Sequence, residues 1–242
     1  MKRRRAEADG ICAIVPANVL QISKARLASR LDASSRSLLS AAMLVDVLHT
    51  LQGVRRIRRI TVISADFTVR RIVRLMRVHF LWEGKRRGLN KGVRLAMRDA
   101  KRRNFSAALI LPSDIPLITP REVMRFLRFS DGYSVAVAPS KDGSGTNALF
   151  LRPPGAINPA FGRNSFRKHL SSAHRKGVSV RVVRSVGIAS DVDEPADVES
   201  LKRVLLRNET GRFLRTMDGT TSVKGPTKSK FNWSASAKQR ST

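Results

Sequence analysis

Three aspartates, one lysine and one arginine stand at points of the sequence where metal-assisted phosphate chemistry would need them. Asp114 comes soon after the most apolar run of the chain, and Asp191 and Asp193 precede a helix start signal. Lys24 and Arg26 follow the first apolar run. Mg²⁺ prefers one or two carboxylates together with phosphate oxygens, and lysine and arginine neutralise phosphates. These residues are therefore candidates for nucleotidyl transfer, a reaction that depends on positioning and charge neutralisation.

Each candidate alone also has an ordinary structural explanation. Asp114 lies in a Pro-Ser-Asp-Ile-Pro segment, where an aspartate often serves as a turn residue. Carboxylates that precede a helix interact favourably with its dipole, and two cations among 47 Lys and Arg carry little information. The chain has no Walker A pattern, which argues against a P-loop NTPase. His169 and His174 share one predicted helix without metal-ligand spacing, and we expect both on its surface.

Composition restricts the class of protein. The chain has 242 residues, of which 42% are hydrophobic, and no apolar run approaches the ~18 residues of a membrane span. The basic start of the chain continues into residues 6–9, which are not apolar, and this argues against a secretory signal peptide. Cys12 is the single cysteine, so a disulfide framework and a cysteine-rich zinc site are excluded. We expect a cytoplasmic protein that does not bind membranes.

The net charge of +29, from 47 Lys and Arg against 18 Asp and Glu, indicates anionic partners. These could be nucleic acid, an anionic surface or small anionic molecules. The cations are spread along the chain, and aromatic residues make up only 5%, which argues against a surface that stacks bases. A basic nucleic-acid-binding protein without catalysis remains an alternative, and its binding would weaken steeply with salt.

Predicted strands and helices alternate along most of the chain. Apolar and β-branched runs predict strands at 11–15, 59–64, 79–82, 107–111, 135–138, 148–151 and 178–184. Helical spacing and capping signals predict helices at 34–51, 67–76, 89–102, from Pro120 onward, 165–176 and 195–206. The expected cap residues are Ser34 or Ser35 for the first, Thr119 with Glu122 in a capping box for the fourth, and Ser165 for the fifth. This alternation predicts an α/β domain with a mainly parallel, mixed sheet. Ligands then bind beyond the carboxyl ends of the strands, which is where the candidate residues lie.

The chain divides into three parts by composition. Residues 1–10 form a basic N-terminal extension, residues 11–206 the domain, and residues 207–242 a basic tail. The tail is rich in Thr, Ser, Lys and Gly, and its apolar content is concentrated in Phe213 and Leu214. Because such a segment buries too little apolar surface to offset its ordering entropy, we expect it to be disordered.

Several short segments, taken in order, form a pattern. They are Val15-Pro16, Lys24-Ala25-Arg26-Leu27, Gly88-Leu89-Asn90, the residues 111–117 and 142–149, Phe161-Gly162, Ser165-Phe166 and Asp191-Val192-Asp193. This pattern resembles the 2-phospho-L-lactate guanylyltransferases of coenzyme F420 biosynthesis, with relatives that use phosphoenolpyruvate or 3-phosphoglycerate. The resemblance covers about residues 11–206.

The resemblance implies a Rossmann-like nucleotidyltransferase domain of the glycosyltransferase-A type. It also implies that GTP and 2-phospho-L-lactate, or a related phosphorylated carboxylic acid, give lactyl-2-diphospho-5′-guanosine and pyrophosphate. The implied cofactor is Mg²⁺, held by Asp114, Asp191 and Asp193. The likeness further suggests a homodimer, and it makes nucleic acid an unexpected partner.

Residue by residue, the resemblance assigns further roles. The catalytic residues would be Lys24, Arg26 and Asp114. The phosphorylated acid would contact Thr146, Gly162 and Ser165, and the nucleotide would contact Pro16, Gly88 and Asn90. Ser165 lies at a predicted helix start, where backbone N–H groups favour an anion.

Two positions depart from the family pattern. Asn18 stands where members commonly have lysine, so one expected phosphate contact is missing, and Glu194 replaces a usual threonine before the last predicted helix. Another small-molecule nucleotidyltransferase, for a sugar phosphate or the molybdenum cofactor, remains an alternative. The glycine-rich segment of those enzymes is replaced here by residues 16–19, which argues against that alternative.

Overall fold

One mixed sheet organises the chain. The computed structural model describes residues 10–20, 24–84, 88–204 and 207–218. Within these residues the strands are β1 (Ile11–Pro16), β2 (Ile57–Ser64), β3 (His79–Trp82), β4 (Ala107–Ile110), β5 (Val135–Pro139), β6 (Thr146–Leu151) and β7 (Val180–Val182). Their order is β3-β2-β1-β4-β6-β5-β7, and β6 runs antiparallel to both of its neighbours while the other pairs are parallel. The predicted α/β fold with a mainly parallel, mixed sheet is confirmed.

The position of β1 in the sheet locates the main crevice. Ile14 of β1 pairs with Thr61 on one side and with Ile110 on the other. The chain therefore extends the sheet in one direction through β2 and β3, and in the other direction from β4 onward. Such a reversal leaves a crevice outside the carboxyl ends of the strands, where open α/β sheets bind ligands. The segments after β1 and β4 line this crevice.

Helices cover both faces of the sheet. They are α1 (Ala33–Gln52), α2 (Phe67–Leu75), α3 (Leu89–Arg102), α4 (Pro120–Phe129), α5 (Ser165–Arg175), α6 (Val186–Ala189), α7 (Pro195–Arg203) and α8 (Glu209–Met217), with a 3-10 helix at Ala25–Ser29. Helices α1, α2 and α4 pack in one core cluster, and α3 and α5 pack in the cluster on the opposite face. Every residue of β4 is buried, as expected for a strand covered on both faces. No described helix is long and apolar enough to cross a membrane.

Helix start signals are reproduced where the sequence carried a full motif. Thr119 and Glu122 form the predicted capping box at α4. Helix α1 differs, because Asp32, rather than a following serine, accepts the backbone N–H of Ser35 at 2.6 Å. β7 is shorter than the predicted strand, and α7 ends at Arg203 rather than near residue 206.

The predicted end of the domain is wrong for residues 207–218. Helix α8 buries Phe213 and Leu214 in a cluster with Met43 of α1. Asp46 of α1 accepts hydrogen bonds from the backbone N–H of Glu209 and from both the N–H and the hydroxyl of Thr210. These contacts make α8 part of the domain. Residues 1–9 and 219–242, the remainder of the predicted extension and tail, lie outside the described residues.

Candidate active site

Lys24 joins two of the predicted acidic residues. Its Nζ atom lies 2.5 Å from Oδ2 of Asp114 and 2.7 Å from Oδ1 of Asp193. The lysine side chain is only 8% exposed. The backbone adds a further link, since the N–H of Val192 donates to the carbonyl oxygen of Asp114 at 3.0 Å. Asp114 lies in the loop after β4 and Asp193 in the segment before α7, so these two segments meet beside Lys24, which precedes the 3-10 helix.

The charges in this cluster affect one another. Burial disfavours the charged form of Lys24, but the carboxylates of Asp114 and Asp193 outweigh it and raise the lysine pKa above its ordinary value. Burial raises the pKa of Asp191, and the negative charges of the other two aspartates raise it further. A hydrogen bond of 3.0 Å from the amide of Asn147 acts in the opposite direction. The cluster holds three carboxylates but one lysine, which pairs with two of them, so it favours an additional cation.

The cluster has one feature that a divalent cation would satisfy. Oδ1 of Asp114 is buried and has no hydrogen-bond partner among the described residues, which is costly for a carboxylate oxygen. Within the same part of the chain, however, no three His, Cys, Asp or Glu side chains are arranged as a metal site. Lys24 stands between Asp114 and Asp193. The residues thus fit Mg²⁺ held by few carboxylates, with water and phosphate oxygens completing its shell.

Two cavities open beside the segment that follows β1. The first, of about 250 Å³, is lined by Lys24, Asp114 and Asp193 together with Asn18 and Ser113, among others. The second, of about 220 Å³, is lined by Pro16, Glu83 and Gly88 among others. Ala17 and Asn18 line both cavities, so the two lie side by side at the crevice. The first cavity is lined by two aspartates and a lysine, and the second is bordered by glycine.

The predicted nucleotide residues occupy two different places. Pro16 ends β1, and Gly88 precedes α3 with a φ of 83°, a conformation that glycine adopts without strain. Both line the second cavity. The side-chain amide of Asn90 instead forms two hydrogen bonds with the backbone of Phe161. It donates to the carbonyl oxygen at 3.0 Å and accepts from the N–H at 2.7 Å. Asn90 therefore braces α3 against the loop that leads into α5.

The predicted acceptor residues are gathered around the start of α5. The carbonyl of Gly162 accepts the N–H of Ser165 at 3.0 Å, and Ser165 is 1% exposed. Ser165 does not cap the helix as expected. Asn164 holds the N-cap position in a left-handed conformation, without a side-chain cap bond, and Ser165 is the first helical residue. The N–H of Phe166 donates to Ser144, which ties the helix to the loop before Thr146.

That loop is held in shape by Asp142. Its carboxylate accepts the hydroxyls of Ser140 and Ser144 at 2.6 and 2.5 Å, and these bonds lower its pKa to about 2. Ser140 in turn accepts the N–H of Gly145 at 2.7 Å. A Cβ atom on Gly145 would lie 2.7 Å from the Ser140 oxygen, so only glycine fits there without rearrangement. The loop thus presents Thr146 from a fixed backbone.

Two residues lie elsewhere than the sequence indicated. His169 is fully buried, whereas His174 is exposed as expected. The burial of His169 was readable from its spacing, because it lies four residues after Ser165 and four before Ala173, on the inward face of α5. Arg26 is 72% exposed and lies 3.6 Å from Glu194. It therefore stands at the rim of the site, away from Lys24.

The chain matches a known protein family over most of its length. Positions 11–234 match the CofC family, described as guanylyl transferase CofC like. The chain belongs to this family. A CofC relative from Sphaerobacter thermophilus, named phosphoenolpyruvate guanylyltransferase, is 38% identical over 78% of this chain and 91% of its own length. Another, the 2-phospho-L-lactate guanylyltransferase of Methanothermobacter thermautotrophicus, is 37% identical over 82% and 85%. The family indicated by the sequence pattern is confirmed.

A solved structure supports the fold of this CofC member. A protein from Desulfovibrio desulfuricans, described as a nucleotide-diphospho-sugar transferase, superposes with a TM-score of 0.70 at 18% identity. The match covers 87% of this chain and 96% of that chain. The match supports the predicted α/β fold with a mainly parallel, mixed sheet.

Proposed function

We propose that this CofC-family chain transfers GMP from GTP to a small phosphorylated carboxylic acid. A phosphate oxygen of the acid attacks the α-phosphorus of GTP, the bond from that phosphorus to the bridging oxygen breaks, and pyrophosphate leaves. The names of the relatives support 2-phospho-L-lactate and phosphoenolpyruvate as acceptors. With this activity the chain would serve coenzyme F420 biosynthesis.

The observation that carries the proposal is the Lys24 cluster at the crevice. A triphosphate needs cations around its oxygens, and Lys24 is a buried lysine already aimed into the first cavity. Its ammonium can exchange a carboxylate for a phosphate oxygen without leaving the cavity. Arg26 at the rim supplies a second cation, while Asn18 supplies none. The second cavity, with Pro16 and Gly88, would then take the nucleoside.

Mg²⁺ is the proposed cofactor, and Asp114 is its main protein ligand through the unpartnered Oδ1. Asp191 and Asp193 would complete the acidic side, directly or through water. When bound, the ion would neutralise charge on the transferring phosphate and on the leaving pyrophosphate. Asn147 fixes Asp191 through its 3.0 Å hydrogen bond, so that carboxylate keeps its orientation.

The acid would bind between the Asp142 loop and the start of α5. The hydroxyls of Thr146 and Ser165 can donate hydrogen bonds to a phosphate or carboxylate, and the positive end of the α5 dipole favours an anion there. Gly162 has a φ of 108° and open space where a Cβ would stand, so a ligand can approach its backbone closely. Asn147, which follows Thr146, contacts the acidic cluster and connects the two halves of the site.

Pyrophosphate release by the purified full-length chain tests this proposal. Each of four nucleoside triphosphates is combined with 2-phospho-L-lactate, phosphoenolpyruvate or 3-phosphoglycerate, with and without Mg²⁺. We expect release that requires GTP, one of the acids and Mg²⁺, and a product in which GMP is joined to the acid. Release with a different triphosphate, or none with any acid, would contradict the proposal.

A further inference from the structure

A buried histidine lies behind the proposed acceptor site. Nδ1 of His169 is 3.0 Å from the hydroxyl oxygen of Thr146, and Nε2 is 2.9 Å from the backbone nitrogen of Ala160. Phe161 packs edge-on against the imidazole, with ring centroids 5.1 Å apart. The side chain has no exposed surface. Both ring nitrogens are therefore in use, and solvent does not compete for either.

The two contacts define which nitrogen carries the hydrogen. The N–H of Ala160 can only donate, so Nε2 of His169 must be the unprotonated acceptor. A neutral imidazole then has its hydrogen on Nδ1, which donates to the oxygen of Thr146. A threonine hydroxyl has one hydrogen of its own. With a lone pair already occupied by His169, the Thr146 hydroxyl hydrogen is left to donate elsewhere.

We propose that His169 is a positioning residue, which makes Thr146 a hydrogen-bond donor directed at the phosphorylated acid. The inference rests on the proposed function, because it concerns the acceptor of that reaction. A hydroxyl that rotated freely would present either a lone pair or its hydrogen to the ligand. Since an anionic acid accepts hydrogen bonds, only the hydrogen is useful. His169 removes the unproductive orientation before the acid arrives.

Burial also keeps the imidazole in the required state. Desolvation lowers the pKa of His169 to about 4, with a smaller contribution from the charge of Lys168. The ring is therefore neutral at physiological pH. A second ring hydrogen would point at the Ala160 N–H and break that contact.

Two substitutions of His169 each remove one of its two hydrogen bonds. In His169→Gln, the side-chain oxygen can reach the place of Nε2 and accept from Ala160, but the donor to Thr146 is lost. In His169→Asn, the amide nitrogen can take the place of Nδ1 and donate to Thr146, while the Ala160 contact is lost. Each variant gives up one buried hydrogen bond, so a purely structural role predicts similar behaviour for both. His174→Asn, at an exposed position of the same helix, is the matched control.

Steady-state kinetics at saturating GTP and Mg²⁺ compare these variants. We expect His169→Gln to raise the KM for the acid about five- to tenfold, which corresponds to one lost neutral hydrogen bond. His169→Asn should stay within about twofold of the wild type, and the KM for GTP should not change in either. In a Thr146→Val background, His169→Gln should add nothing. Equal acid KM values for Gln and Asn, or a change confined to GTP, would overturn the proposal.

Nitrogen-15 NMR of histidine-labelled wild-type protein tests the same claim without turnover. His169 should show the Nδ1–H tautomer and remain neutral at pH 5.5. An Nε2–H tautomer would overturn the proposal whatever the kinetics. If the wild type transfers GMP to no acid, the proposed function fails. Calorimetric binding of phosphoenolpyruvate then decides the histidine's role, and affinity that is absent, or equal in wild type and His169→Gln, overturns it.

Discussion

Nζ of Lys24 lies 2.5 Å from Oδ2 of Asp114, although 90 residues separate the two along the chain. The same ammonium reaches Asp193, 169 residues away. One side chain thus connects the start of the domain, its central strand and its last third. The ion pair supplies a cation inside an acidic cluster, and the charge balance of the site depends on it.

Replacing Lys24 tests that balance. We expect Lys24→Met to lower the free energy of unfolding by roughly 1–3 kcal/mol, since it leaves partly buried carboxylates without their counterion. Added Mg²⁺ should stabilise this variant more than the wild type, because the cation replaces the missing charge. Urea denaturation with and without Mg²⁺ measures both effects. Arg26→Met, at an exposed position, should change stability by less than about 0.5 kcal/mol, and a similar loss there would contradict the assignment.

Asp114→Asn keeps the shape of the side chain and removes its charge. We expect turnover to fall by about a thousandfold or more, with the free energy of unfolding changed by less than about 1 kcal/mol. The stability change is small because the lost ion pair is offset by relief of repulsion with Asp191 and Asp193. Thermal unfolding should also lose its dependence on Mg²⁺. Activity near that of the wild type would exclude Asp114 as the main ligand.

Ser165→Ala separates binding from helix capping. Because Asn164 holds the N-cap position, the usual cost of losing a cap, about 1 kcal/mol, is not expected here. The KM for the acid should rise while that for GTP stays constant, as measured at saturating Mg²⁺. Ser171→Ala, at an exposed position of the same helix, is the control and should change neither constant. A stability loss without a change in KM would make Ser165 a structural residue.

The pH dependence of stability should carry a contribution from His169. Its pKa is about 4 in the folded chain against an ordinary 6.5, so its stabilisation is complete above pH 6.5 and is lost as the pH falls towards 4. The loss between pH 7 and pH 5 should be on the order of 2 kcal/mol.

Asp46 acts in the opposite sense over much of the same range. Burial raises the pKa of Asp46 to about 6, so its contribution to stability declines as the pH rises from about 4 to 6. The contributions of Asp46 and His169 therefore largely cancel in the pH dependence of wild-type stability. The difference in unfolding free energy between wild type and His169→Gln isolates the contribution of His169, and this difference should shrink as the pH falls from 7 to 5. A difference that is independent of pH would contradict the burial of a neutral imidazole.

Helix α8 should be required for a stable fold. A chain that ends after Arg207 loses the buried side chains of Phe213 and Leu214 and the hydrogen-bond donors to Asp46. We expect a loss of roughly 5 kcal/mol or more, and a greatly lowered Tm or no cooperative transition. A chain that ends after Asp218, which keeps α8, should have a clearly higher Tm than the shorter chain. Equal Tm values for the two truncations would show that α8 contributes little.

Much of the fold could be predicted because its signals are local. The apolar run of β4 and the Thr119–Glu122 capping box can each be identified within a few residues of sequence. Helix α8 could not, because its nine residues are stabilised by Asp46, 164 residues earlier in the chain. A short segment that depends on so distant a partner has the composition of a tail when considered alone.

The candidate site, like the fold, could be predicted only in part from the sequence. The residue types of Lys24 and Asp114 were apparent, but the contact between them depends on where β4 lies relative to β1, which only the sheet order determines. Asn90 was grouped with the nucleotide residues, whereas its amide is bound by Phe161. His169 was expected on the surface because a polar residue on a helix usually is. The spacing from Ser165 and Ala173 indicated its inward position on α5, but its hydrogen-bond partners, Thr146 and Ala160, lie outside that helix.

The bonds from α8 to Asp46 also bear on how the protein is made. Thr210 is translated 164 residues after Asp46, which takes about 8–33 s at synthesis rates of about 5–20 residues per second. Throughout that interval the side of α1 that carries Met43 and Asp46 has no cover from α8. Such transiently exposed apolar surface favours aggregation and chaperone binding. The side of α1 that carries Met43 and Asp46 therefore stays uncovered on the ribosome until α8, the last helix of the described residues, has been made.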